Sequence, residues 1–126
     1  MRVMRVFAPL LLFAAVALCY ADKHELKITI SGTVSKVEFI NPHSYVTLDV
    51  KDPSGKMVKW SFELAGPGSL KRSGMSREDR GGMKPGDPLT ILCFPAKDGS
   101  NFGFVQEIHF ADGRVFVLDN RDPYAN

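Results

Sequence analysis

Residues 26–39 read Leu26-Lys27-Ile28-Thr29-Ile30-Ser31-Gly32-Thr33-Val34-Ser35-Lys36-Val37-Glu38-Phe39. In an extended chain successive side chains point to opposite sides, so Ile28, Ile30, Gly32 and Val34 share one face. Val37 and Phe39 resume that face one residue out of phase. A single long strand with one extra residue near Ser35-Lys36 accounts for the slip, and such a bulge bends the strand that carries it. Asn41-Pro42-His43 ends the run, because Pro42 has no N–H to give a ladder and pushes Asn41 to extended geometry.

Working outward, Ser44 to Lys51 alternates Val46, Leu48 and Val50 against Tyr45, Thr47 and Asp49, the pattern of a half-buried strand. Asp52-Pro53-Ser54-Gly55 supplies turn residues, and Val58, Trp60, Phe62 and Leu64 then face one way along a third strand from Met57 to Leu64. These two strands form a hairpin. From Gly66 to Pro88 the pattern gives way to Gly, Pro, Ser and charge. Only Ser69-Leu70-Lys71-Arg72 and Arg77-Glu78-Asp79-Arg80 suit a helical turn, with mobile loop expected around Gly81-Gly82.

Leu89 to Ala96 is apolar on both faces, as in a strand buried between layers or in a closed barrel. Lys97 to Asn101 turns the chain, Phe102 to Phe110 makes a fifth strand, and Asp112-Gly113 leads into a sixth from Val115 to Leu118. The fold class is therefore mainly β: a small antiparallel OB-like barrel, with one or two short helical turns between strands 3 and 4. An open sandwich is the alternative. Closure is favoured because it hides sheet edges that a neutral protein would otherwise present for aggregation.

Domain organisation follows from the two ends. Met1 to Arg5 is basic, Val6 to Leu18 is apolar apart from Pro9, and Cys19-Tyr20-Ala21 ends in a small residue. That is the layout of a secretory signal peptide over residues 1–21, cut after Ala21. A lipoprotein cut at Cys19 is the alternative, although Leu18 before it is not small. A single barrel domain then spans 22–118, and the polar tail 119–126 is expected to fray. The domain is placed in the periplasm or outside the cell, without a transmembrane anchor after processing, and is expected to be a monomer.

The full chain of 126 residues carries 16 Lys plus Arg against 14 Asp plus Glu, a formal charge of +2. Removing residues 1–21 takes away Arg2 and Arg5 and leaves 14 against 14, hence zero. Nucleic acid is excluded as a partner on this reading, since phosphate binding needs an excess of clustered cations. Cleavage also removes Cys19, so Cys93 has no disulfide partner and is read as a small buried hydrophobe.

No catalytic constellation stands out. The chain has no Gly-x-Ser-x-Gly elbow, and Ser44 beside His43 on an extended strand points the opposite way. Gly66-Pro67-Gly68-Ser69 and Gly81-Gly82 lack the spacing of a phosphate-binding loop. Two sites remain. With cleavage after Ala21, Asp22-Lys23-His24 presents a free amine on Asp22, two backbone nitrogens and the His24 imidazole, a square-planar set that suits copper or nickel. The second is the Asn41-Pro42-His43 corner, where His43 ligates a metal or hydrogen-bonds a ligand, Trp60 supplies a stacking surface and Glu63 a carboxylate. The competing structural role makes Asn41 a turn cap and Trp60 the main core aromatic.

Gly32-Thr33-Val34, Lys36-Val37-Glu38-Phe39, Asn41-Pro42-His43, the Asp49 to Gly55 turn and Trp60-Ser61-Phe62-Glu63 follow one another in order. Lys84-Pro85-Gly86-Asp87, Pro95 to Ser100 and Asp112-Gly113-Arg114 complete the series. From about Leu26 to Arg114 this resembles DUF6152, a family of exported bacterial proteins without an assigned activity. The resemblance implies an envelope location and a small β domain. The chain departs from it at Phe39 and Met75, where the family usually has Trp, and at Asp22-Lys23-His24, where its chains often begin with adjacent histidines. The expected function is an exported, non-enzymatic binding module for a small ligand or another envelope protein, with copper or nickel handling through His24 as the alternative.

Overall fold

The computed structural model describes residues 26–75 and 82–118. Its elements are β1 (Ile28–Glu38), β2 (Tyr45–Lys51), β3 (Met57–Glu63), α1 (Pro67–Arg72), β4 (Pro88–Pro95), β5 (Phe102–Phe110) and β6 (Val115–Val117). All six expected strands are present within about two residues of their expected ends. One helical turn region, α1, lies between β3 and β4; the other candidate, Arg77 to Arg80, and the Gly81 end of the expected mobile loop lie outside the described residues.

The bend in β1 organises the sheet. Residues 33–38 pair antiparallel with β2, and residues 28–33 pair antiparallel with β4, so Thr33 faces Asp49 on one side and Pro88 on the other. The register against β2 slips between Val34 and Lys36, which leaves Ser35 as the extra residue the phase shift called for. At the bend the chains approach so closely that a Cβ on Gly32 would stand 2.5 Å from the Asp49 carbonyl oxygen and 2.9 Å from a Val50 methyl. Only glycine fits there.

β2 and β3 form the hairpin across the Asp52 turn, in which the Asp52 carboxylate accepts hydrogen bonds from the Ser54 hydroxyl at 2.6 Å and from the Ser54 and Lys56 amides at 2.9 Å. β4 and β5 pair antiparallel, with a second irregularity between Leu92 and Cys93. Closure comes from a short parallel contact in which Ser61, Phe62 and Glu63 of β3 face Phe102, Gly103 and Phe104 of β5. The cycle β1-β2-β3-β5-β4 makes a closed five-stranded barrel of the OB-like kind, not an open sandwich. Where β3 leaves the edge of β5, β6 takes its place opposite Glu107, Ile108 and His109.

The inward residues form one core. Val34, Val46, Leu48, Phe62, Ile91, Cys93, Val105 and Ile108 are all buried in it, and α1 adds Leu70. Full burial of a side chain such as Phe62 contributes about 1.5–3 kcal/mol. Phe62, not Trp60, is the fully buried aromatic; Trp60 is half-buried and stacks on it with ring centroids 5.9 Å apart. Gly103 sits where a Cβ would meet the Cys93 sulfur at 2.6 Å, so β4 and β5 pack as closely there as β1 and β2 do at the bend.

Gly32→Ala places a methyl group against the Asp49 backbone, and overpacking of this kind costs about 1–3 kcal/mol. Urea denaturation is expected to show that loss, while Thr33→Ala next to it, at an exposed position, leaves the midpoint within about 0.5 kcal/mol of the parent.

Candidate functional site

The corner that joins β1 to β2 is held against the start of α1. A Cβ on Gly66 would lie 2.8 Å from the Pro42 carbonyl oxygen and 3.2 Å from Asn41 Oδ1, so the absence of a side chain at Gly66 is what lets the corner seat there. The Asn41–Pro42 peptide is cis. The ladder between β2 and β3 continues past their ends, with Ser44 N–H donating to the Ala65 carbonyl and Leu64 N–H to that of Ser44. His43 is thereby fixed beside the end of β3.

There the imidazole meets Glu63. His43 Nδ1 lies 2.9 Å from Glu63 Oε1, and the same oxygen accepts a hydrogen bond from the Tyr45 hydroxyl at 3.3 Å. The Glu63 side chain is 19% exposed and that of His43 53%, so the carboxylate is sheltered and the ring looks outward. A carboxylate can only accept, so Nδ1 is the donor, and in the neutral form of the ring the lone pair then sits on Nε2. Burial raises the Tyr45 phenol above its usual value, and the neighbouring negative charge of Glu63, its hydrogen bond and the charge of Glu38 add to the rise.

This group is part of a longer row. Glu38 of β1 faces Tyr45 of β2, Tyr45 faces Glu63 of β3, Glu63 faces Phe104 of β5, and Phe104 faces Phe94 of β4. Partners directly opposite on neighbouring strands share a face, so the row lies on the side of the strands away from the core, ending on Phe94, which is itself buried. Phe102 meets Phe104 edge to face at 5.4 Å, and Lys27 Nζ stands 5.3 Å from the Phe94 ring centre. The row thus passes from carboxylates and a phenol to aromatic rings.

Of the four residues expected at this corner, the fold brings His43 and Glu63 together and sets Asn41 against Gly66 beside them. Trp60 lies on the other face of β3, opposite the buried Leu48, and stacks on the core. Its neighbourhood is the barrel interior, so the aromatic surface beside Glu63 comes from Phe104 instead. Tyr45 was not among the expected site residues. The hairpin register would have found it, because a turn centred on Ser54 puts Tyr45 opposite Glu63. Asp22 and His24 of the expected copper or nickel site lie outside the described residues, and among the described residues no three His, Cys, Asp or Glu side chains gather as for a metal ion.

Two side chains with nucleophilic potential point inward. Ser44 is fully buried with its hydroxyl unpartnered among the described residues, and Cys93 is buried with its thiol pushed up to about 12 by desolvation. A thiol so shifted stays protonated at neutral pH and is a poor nucleophile.

Comparison with known proteins identifies the chain at family level. It belongs to the family described as "Family of unknown function (DUF6152)", whose model matches residues 13–106. The match begins within the apolar run at the N-terminus and covers β1 to β4 and most of β5. No curated protein matches the chain.

Glu63→Gln removes the charge but keeps the size. The Tyr45 phenol is then expected to ionise at lower pH than in the parent, as read by ultraviolet titration against a Tyr45→Phe blank; an unmoved titration would mean that Glu63 does not govern it.

Proposed function

We propose that this DUF6152 domain is an exported, non-enzymatic binding module that takes a small ligand at the His43, Tyr45 and Glu63 corner. The observation that carries the reading is the shared oxygen of Glu63, which orients both an imidazole and a phenol at the barrel surface. Such an arrangement costs conformational freedom in three side chains, and a simple surface turn has no need of it. The outward Nε2 of His43 offers one directed contact, and the Phe104 ring next to Glu63 offers a flat apolar one. A binding role is favoured over catalysis because Ser44, next to His43 in the chain, and Cys93 are both fully buried. Export rests on the basic and apolar pattern of residues 1–21.

One observation favours a second reading. A carboxylate that holds one nitrogen of a histidine commonly orients the other for a metal. With the Asp22 amine and His24 freed by cleavage after Ala21, a copper or nickel ion has an N-terminal site, and His43 presents a further nitrogen.

Native mass spectrometry of protein exported with its own N-terminus tests both. The binding-module reading expects a small organic adduct on the parent that is missing from His43→Ala, with an intact mass that starts at Asp22. A stoichiometric copper or nickel adduct lost in His24→Ala supports metal handling instead. Protein without any adduct, or a His43→Ala variant that keeps it, contradicts a site at this corner.

A further inference from the structure

The bend in β1 has a second consequence. Beyond Thr33, β1 stays with β2; before it, β1 goes with β4. The ends of β2 and β3 on one side and of β4 and β5 on the other therefore diverge, and an open groove of about 530 Å³ lies between them with Ser31, Gly32 and Thr33 along its floor. That volume lies in the range of small-molecule sites, roughly 300–1,000 Å³. The groove is separate from the His43 corner, with which it shares no residue.

Its walls are of two kinds. Met57 and Phe110 give it apolar surface above the buried Leu89, and Ser31, Thr33 and Thr90 line it with polar groups, the Ser31 and Thr90 hydroxyls being bonded to each other at 2.9 Å. The charges facing it are mostly answered. Asp49 is held by Lys59 at 2.6 Å, and His109 by Glu107 at 3.0 Å. Beside Phe110, Asp112 is held by Arg114 at 2.7 Å. Lys51 also lines the groove and forms no ion pair among the described residues. Its ammonium is a donor whose charge is left for a ligand.

From this we infer that the groove is a binding site for a small amphipathic carboxylate. The carboxylate group takes the Lys51 ammonium and the floor hydroxyls, and the hydrocarbon part lies on Met57 and Phe110. The site is built by the bend and stands whether or not the His43 corner binds anything.

The test compares hexanoate with 1-hexanol, which share a chain and differ in charge, in a titration followed by amide chemical shifts. Hexanoate is expected to shift the amides of Ser31, Gly32, Thr33, Lys51, Thr90 and His109, and to bind about fivefold more tightly than hexanol, the size of one exposed charge contact. Lys51→Met keeps the stem of the side chain and removes the charge, so it is expected to bring the two affinities together. Equal affinities in the parent overturn the inference. So do shifts confined to His43, Tyr45 and Glu63, or no saturable shifts at all.

Discussion

One strand holds this barrel together by belonging to two parts of it. β1 spends its first half on β4 and its second on β2, and the change of partner at Thr33 is possible only because Gly32 has no side chain to press against the Asp49 carbonyl. Every later feature follows. With β2 and β4 both fixed to β1, the hairpin to β3 and the hairpin to β5 are brought round until Ser61 to Glu63 lie beside Phe102 to Phe104. Gly103, which faces Phe62 in that last contact, also lacks the Cβ that would press on the Cys93 sulfur of β4.

The surface chemistry is a by-product of this closure. On the side away from the core, the in-register row from Glu38 to Phe94 exists because five strands meet in sequence, and Glu63 holds His43 and Tyr45 only at the end of a strand that is pinned on both edges. At the bend itself the same geometry parts the strand ends and opens the groove above Ser31 to Thr33. The closed barrel thus carries directed polar groups at one corner and a groove of mixed lining at another.

Most of the fold was legible in the sequence because it rests on local patterns. The phase slip after Val34 marked the bulge at Ser35, alternation marked β2 and β3, and the two-sided apolar run from Leu89 marked a strand enclosed by others. The parallel contact of β3 with β5 was implied only by the order of elements, since no pattern within either strand encodes a partner 40 residues away. The site was half legible. His43 and Glu63 were expected together and are. Trp60 was expected on their side and is not, because the alternation that put it in line with Phe62 also turns it away from Glu63. The groove was not legible at all, since its floor and walls come from five strands whose divergence depends on where β1 bends.

Nuclear Overhauser contacts between backbone protons of β3 and β5 test the closed barrel most directly. The account requires contacts of Ser61 with Phe102 and of Glu63 with Phe104, as strong as those along the parallel ladder of any sheet. A spectrum that shows the β1–β2, β1–β4 and β4–β5 ladders but none between β3 and β5 would make the molecule an open sheet, and would remove the support on which the Glu63 corner stands.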